Sequence, residues 1–261
     1  MTAFSRRQRV GQRTINSIAG LAIAYIFLPI LVIVIFSFNA PKGKFNIKWQ
    51  GFTLHNWAHP FVESELTSAL WVSLRIALIS TFCATVLGSL IALALSRYKF
   101  KGSGGVNLFL VLPLTSPEIV LGSSLATLFL NRGVAFGYVT IVIAHIMFQI
   151  SFVAVTVRAR IRGFDWTLEQ AAMDLGAGPF QTFRDVTFPA VRSALVAGAL
   201  LAFALSFDEI VVTSFTAGPG VETLPQWIFN NLFRPNQGPI INAVAAALLI
   251  AFIAPVYLAM R

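Results

Sequence analysis

The sequence predicts an all-α membrane protein with six transmembrane helices. Of its 261 residues, 57% are hydrophobic and 11% are charged, whereas a soluble domain usually carries about 25% charged residues. Long uncharged stretches and a mean hydropathy of +0.78 indicate that much of the surface faces lipid. The single cysteine, Cys83, excludes an internal disulfide and a thiolate metal cluster.

The predicted spans are the uncharged or nearly uncharged stretches that are long enough to cross a bilayer. A helix needs about 20 mostly apolar residues to cross about 30 Å of hydrocarbon, and contiguous apolar residues favour helices over the alternating strands of a barrel. Pro113 and Pro117 interrupt the third span, where we expect a kink. No repeat or linker divides residues 1–261, which predicts one transmembrane domain. The spans lie at about residues 18–38, 76–96, 107–130, 134–157, 193–217 and 239–260.

The basic residues predict the orientation of the chain. Lysines and arginines in short loops stay on the cytoplasmic side during insertion. Thirteen of the 19 fall on the side of both termini, five fall on the other side, and Arg75 lies at the mouth of the second span. We therefore expect both termini in the cytoplasm, and the net charge of +9 is an orientation signal rather than a sign of nucleic-acid binding. The thirteen are Arg6, Arg7, Arg9, Arg13, Arg97, Lys99, Lys101, Arg158, Arg160, Arg162, Arg184, Arg192 and Arg261.

The longest predicted cytoplasmic segment, between the fourth and fifth spans, is expected to form two short helices. Asp165 is suited to cap the first helix, and Gly176 or Gly178 is suited to end it. Pro179 is suited to the first turn of the second helix. Pro189 is expected to separate this second helix from the fifth span.

The same segment carries a motif with a recognisable spacing. The run Gln170-Ala-Ala-x-x-x-Gly176 is followed by Phe188-Pro189. This pattern resembles the EAA loop of the inner-membrane permease subunits of binding-protein-dependent ABC importers. The resemblance implies the type I permease architecture, in which cytoplasmic coupling helices, here within residues 158–192, dock into an ATPase subunit.

The motif departs from the family at one position. Gln170 stands where the family usually has glutamate, and Glu169 directly precedes it. Either Glu169 supplies the carboxylate contact after a small rotation, or the contact is a neutral hydrogen bond from Gln170. The resemblance assigns coupling to the ATPase to Glu169, Gln170, Ala171, Ala172, Gly176 and Pro189.

Two further stretches extend the resemblance to nearly the whole chain. LPLTSPEIVLGSSLATLF and ALSFDEIVVTSFTAGPGVETLPQWIF are similar to permeases for spermidine, putrescine and related solutes. The resemblance implies a multi-pass protein of the bacterial cytoplasmic (inner) membrane. Its implied partners are membrane lipid, a second permease subunit, two ATPase subunits and an extracytoplasmic solute-binding protein. The chain has no Walker A pattern, so it is not expected to be an enzyme or to hold a cofactor. ATP and magnesium are expected to be used by the partner ATPase.

Three carboxylates fall within the predicted spans. Asp208 and Glu209 lie in the fifth span and Glu118 lies in the third, where a charge costs about 2.5–3.5 kcal/mol on insertion scales. One interpretation is that they line the substrate pathway and attract a cation. The other is that they pair with Arg75 or with a partner subunit. His145 is interpreted as a packed side chain, and no catalytic residue or metal site is predicted.

The leading hypothesis is an ATP-driven ABC importer permease for polyamines or related cationic solutes, working by alternating access. Two alternatives remain. One is an ion-coupled secondary transporter of a cationic solute that acts without an ATPase, although no inverted repeat is visible. The other is an ABC permease for a different solute.

Overall fold

A computed structural model describes residues 6–61, 63–98 and 100–259. Lys99 and Arg261, two of the basic residues that predict orientation, lie outside these ranges. A π-helical turn, Phe183–Thr187, joins the short helix Pro179–Thr182 to the long helix Phe188–Phe207. The helices of the described residues are α1 Arg6–Phe36, α2 His55–Ala58, α3 Ser64–Arg97, α4 Ser103–Thr115, α5 Glu118–Asn131, α6 Tyr138–Ile161, α7 Thr167–Asp174, α8 Pro179–Thr182, α9 Phe188–Phe207, α10 Val211–Thr216, α11 Leu224–Asn231 and α12 Gly238–Ala259.

Two compact units make up the chain, Met1–Ser64 with Ile228–Arg261, and Glu65–Trp227. In the first unit α1 and α12 pack against each other. The loop after α1 is held by the buried amide of Asn39, which donates to Asn46 Oδ1 (2.6 Å) and to the carbonyl of Lys48 (2.8 Å). That loop is therefore folded rather than a flexible linker. The presence of one transmembrane domain stays a prediction.

Long apolar helices confirm the membrane class, but not the count of six. By length and composition Gln12–Phe36, Ser64–Arg97, Tyr138–Ile161 and the continuous helical stretch Pro179–Phe207 can each cross a bilayer. The pair α4 and α5 adds a fifth crossing if it is one broken span. The sixth prediction falls on α12, which is apolar over Gly238–Ile253; its predicted end, Met260, lies outside the described residues.

The third predicted span is broken at one of its two prolines. α4 and α5 meet at an angle of 113°, and the break is at Ser116 and Pro117, which lie between them. Pro117 restricts the preceding residue to extended backbone, and Ser116 has ψ 135°. Pro113 does not break the helix, since α4 continues beyond it to Thr115.

The fifth predicted span is not one helix, contrary to the expectation from its continuous apolar sequence. α9 ends at Phe207 and α10 begins at Val211, so Asp208, Glu209 and Ile210 form a break. The carboxylate of Glu209 accepts the backbone N–H of Val212 at 2.7 Å. The backbone N–H groups in the first turn of a helix have no partner within the helix. The Glu209 carboxylate accepts one of them, which allows α10 to start here.

Pro189 does not separate the cytoplasmic helix from the fifth span, as the sequence suggested. It lies in the first turn of α9, directly after the π-helical turn. Phe188 N–H bonds to the carbonyl of Phe183, five residues back. In a regular α-helix the proline ring would clash with the carbonyl four residues back. The wider π-helical turn points that carbonyl in another direction, so the helix continues through Pro189.

α6 is the central helix of the second unit. Its residues Ala144, Val153, Ala154 and Val157 are fully buried. α3 approaches it at Gly88, where an added Cβ would lie 2.9 Å from Val153 Cβ. Small residues at this crossing let the helix backbones come close, as is common between membrane helices.

Gly218→Ala is expected to destabilise the second unit. An added Cβ at Gly218 would lie 1.9 Å from the carbonyl oxygen of Phe136, so backbone must move, at a cost of about 1–3 kcal/mol by analogy with overpacked cores. Thermal unfolding of the detergent-purified protein measures the loss. Gly104→Ala is the control, because its Cβ would meet nothing within 4 Å; equal melting temperatures for the two variants would contradict the close approach.

Candidate functional site

A cavity of about 110 Å³ in the second unit brings two of the predicted carboxylates together. Glu118, the first residue of α5, and Glu209, in the break before α10, both line it. Glu209 is buried, whereas Glu118 is exposed. Asp208 is exposed and does not line the cavity. The remaining lining residues are mostly apolar: Pro113, Leu114, Ser116, Leu121, Phe148, Phe152, Leu205 and Val212.

Arg75 does not neutralise these carboxylates. Arg97 pairs with Glu169 and Arg184 pairs with Asp185, and among the described residues Arg75 forms no ion pair with Glu118 or Glu209. The Glu209 carboxylate is instead compensated by the N–H of Val212 at the start of α10, where the helix dipole favours negative charge. The cavity therefore carries two acidic groups without a basic side chain among its lining residues.

A buried polar chain joins the two helices on either side of the break. His145 is 1% exposed, and its Nδ1 lies 2.7 Å from Ser206 Oγ of α9. Its Nε2 lies 2.9 Å from Thr213 Oγ1 of α10. Thr213 also donates to the carbonyl of Glu209 at 3.0 Å. His145 thus holds α9 and α10 in place beside Glu209.

This polar chain continues to α3 and was missed in the sequence. Ser206 Oγ lies 3.1 Å from Ser80 Oγ, which accepts from Gln149 Nε2 at 3.3 Å. The partners are 61 to 126 residues apart along the chain. The sequence shows that polar side chains lie within apolar spans, but it does not show which of these side chains contact one another.

The first helix of the predicted coupling loop starts at Thr167, with Trp166 at the N-cap, one residue later than a cap at Asp165 predicts. Asp165 Oδ1 accepts the backbone N–H of Thr167 (3.0 Å) and its hydroxyl (2.8 Å). These hydrogen bonds, first that of the side chain and then that of the backbone, lower the pKa of Asp165 below its ordinary value. The ionised carboxylate is thereby favoured at the start of α7.

The same helix ends at Gly176 rather than Gly178. Ala177 N–H bonds to the carbonyl of Ala172 (3.0 Å), and Gly176 N–H bonds to that of Met173 (2.9 Å), which is the Schellman pattern. Gly176 has φ +88°, a conformation that favours glycine. Gly178 instead precedes Pro179, which starts α8 as predicted.

The outer side of α7 and α8 forms an exposed groove. Two large apolar side chains beside it are open to solvent, Leu175 (90% exposed) and Phe180 (76% exposed). Gln170 and Ala171 are also exposed. Clustered exposed apolar groups outside the predicted spans are typical of a protein interface. The groove is lined by Ala172, Leu175, Gly176, Ala177, Gln181, Thr182, Asp185 and Val186.

Glu169 points inward, unlike its neighbour. Its Oε2 pairs with Arg97 Nη2 at 2.9 Å, and its Oε1 accepts a hydrogen bond from the Thr187 hydroxyl. The Glu169 side chain is 4% exposed. Its carboxylate is therefore engaged within this chain.

The fold and these features define a helical permease of a membrane transport system. The chain belongs to the family described as binding-protein-dependent transport system inner membrane component, whose sequence profile matches residues 84–261. This family membership, predicted from the EAA-like loop, is confirmed.

Curated relatives match most of the chain. The spermidine/putrescine transport system permease protein PotC of Escherichia coli (strain K12) is 39% identical over 227 residues, covering 87% of this chain and 85% of the relative. PotC of Haemophilus influenzae is 35% identical and covers 93% of both chains. The putrescine transport system permease protein PotI of Escherichia coli (strain K12) is 36% identical, covering 88% of this chain and 83% of the relative.

Solved structures share the fold at low sequence identity. A chain of a bacterial ABC transporter involved in the import of the acidic polysaccharide alginate has a TM-score of 0.68 at 15% identity and covers 98% of both chains. A chain of the MetNI methionine ABC transporter has a TM-score of 0.60 at 18% identity, covering 72% of this chain and 91% of that one. The predicted type I permease architecture is confirmed.

Proposed function

We propose that this permease subunit carries spermidine, putrescine or a related cationic amine. The observation that carries the proposal is the cavity, where Glu118 and Glu209 face a mostly apolar wall. Carboxylates attract protonated amines, and an apolar wall suits the methylene chain between them. The curated relatives, which are named for spermidine and putrescine transport, support the same solute class.

The transport complex that we propose contains more than this chain. A second permease subunit completes the pathway, two ATPase subunits hydrolyse ATP with magnesium, and an extracytoplasmic solute-binding protein delivers the amine. The chain itself has no Walker A pattern. The basic residues support an orientation with both termini in the cytoplasm, which places α7 on the side where ATP is available.

We propose that the ATPase docks on the groove beside α7. Gln170 is exposed and Glu169 is buried, which favours a neutral hydrogen bond from Gln170 over a carboxylate contact from Glu169. Ala171, Ala172 and Gly176 allow close approach there. ATP binding would then move α7, and alternating access would follow from displacement of the helices that line the cavity.

Co-purification and stimulated hydrolysis test this function. We expect the tagged permease to retain the ATPase subunits and a second permease subunit in mild detergent. In liposomes, spermidine-loaded binding protein is expected to raise ATP hydrolysis, whereas binding protein without ligand raises it less. A panel of polyamines, amino acids and metal ions identifies the solute through the binding protein. Uptake without any ATPase, driven by a proton gradient, would instead support an ion-coupled transporter.

A further inference from the structure

We propose that Arg97, Glu169 and Thr187 form a clasp that transmits the movement of α7 to α3 and α9. The three side chains belong to three different elements: the last residue of α3, the body of α7 and the last residue of the π-helical turn before α9. The inference rests on the proposed docking of an ATPase at α7. It assigns to Glu169 a positioning role inside the permease instead of a contact with the ATPase.

The clasp is the buried attachment of α7. Glu169 is the only buried residue among the eight of this helix. The apolar side chains of Leu168 and Met173 are 53% and 40% exposed, so α7 has no apolar face buried against the rest of the chain. A displacement of α7 by a partner on its outer side is therefore transmitted to the rest of the subunit through the Glu169 carboxylate as well as through the backbone.

The geometry of the clasp is fixed on both sides of the carboxylate. Arg97 Nη2 contacts Oε2 at 2.9 Å, and the Thr187 hydroxyl bonds to Oε1. The guanidinium of Arg97 also lies over the rings of Trp166 (5.9 Å) and Tyr98 (5.7 Å), an arrangement that restrains it further. Because the carboxylate is buried, both contacts are directional and poorly replaced by water.

Two helices run from the clasp toward the cavity region, α9 from Thr187 and α3 from Arg97. Thr187 is followed by α9, a helix of 20 residues and about 30 Å that ends at the break carrying Glu209. Arg97 ends α3, whose Ser80 joins the polar chain around His145. Rigid helices thus connect the clasp to the start of the break through α9 and to the polar chain around His145 through α3.

A paired apolar substitution separates transmission from folding. Arg97→Met alone leaves the Glu169 carboxylate buried without its cation, and we expect less protein in the membrane. Arg97→Met with Glu169→Met removes both charges at similar volume, and such replacements are often neutral for stability. We expect the double variant to regain the wild-type amount of assembled complex. Its uptake per ATP hydrolysed is expected to stay about tenfold below wild type, within the usual range of coupling between sites.

A second pair of variants tests the clasp with smaller changes. Thr187→Val removes the hydroxyl at nearly constant shape, and we expect uptake per ATP to fall about threefold, the equivalent of one net hydrogen bond. Thr187→Ser keeps the hydroxyl and is expected to restore the wild-type ratio. Arg13→Met, at an exposed arginine of α1 outside the coupling segment, controls for loss of a positive charge and is expected to change nothing.

The outcomes distinguish this inference from the proposed function. If the wild-type complex shows no ATP-dependent uptake, the proposed function fails. If the wild-type complex is active and both the double variant and Thr187→Val keep its uptake per ATP, the clasp is refuted and the proposed function stands. A lower ratio at normal complex abundance, with rescue by Thr187→Ser, supports the clasp.

Discussion

Glu118→Gln combined with Glu209→Gln will lower spermidine uptake by the assembled complex by about 100-fold. Each charged contact between a carboxylate and an ammonium group contributes about 1.5–3 kcal/mol, and 1.4 kcal/mol corresponds to a factor of ten. Glutamine at 209 can still accept the N–H of Val212, so the start of α10 is expected to persist. Radiolabelled uptake into proteoliposomes measures the effect.

The controls for this experiment follow from the cavity. Asp208→Asn is expected to have a smaller effect, because Asp208 is exposed and does not line the cavity. Glu65→Gln, at an exposed glutamate in the first turn of α3, is expected to leave uptake unchanged. Normal uptake by an intact complex with both cavity carboxylates neutralised would show that the amine takes another route.

Ala172→Phe will separate ATP hydrolysis from uptake. Ala172 lines the groove beside α7, and a phenyl group there would occupy the space that the ATPase is proposed to fill. We expect uptake per ATP to fall on the order of 100-fold, near the upper end of typical coupling, while the permease remains in the membrane. Simultaneous measurement of phosphate release and uptake in proteoliposomes gives the ratio.

Gly176 is a less specific test of the same surface. A bulky residue there is expected to uncouple the complex as well, but its φ of +88° adds about 1–2 kcal/mol of backbone strain to any other residue. Ala159→Phe is the matched control for Ala172→Phe, because Ala159 is an exposed alanine near the end of α6. A wild-type ratio in Ala172→Phe would refute docking at the groove.

Local signals explain the features that were predicted correctly. Asp165, Gly176 and Pro179 act on backbone groups only a few residues away, so their roles at the ends of α7 and α8 follow from the sequence. The break at Pro117 is local for the same reason. The apolar runs indicate membrane helices without any knowledge of tertiary contacts, because lipid acts on each residue separately.

Other features depend on contacts that the sequence does not contain. Glu169 and Gln170 differ by about 100° around α7, and only the position of Arg97 and Thr187 decides which one faces inward. The apolar sequence around Asp208 and Glu209 hides a break, because the side chain of Glu209 itself satisfies the new helix start. The hydroxyl partners of His145 lie 61 and 68 residues further along the chain.

The π-helical turn before α9 has a consequence for how that helix can rotate. It holds one residue more than an α-helical turn of the same span, and losing that residue would rotate α9 by about 100° relative to α8. Pro189 opposes such a change, since in regular α geometry its ring would meet the carbonyl of Asp185, four residues back. Pro189 therefore fixes the rotation of α9 about its own axis. This rotation also sets the direction in which the chain leaves Phe207 toward Glu209.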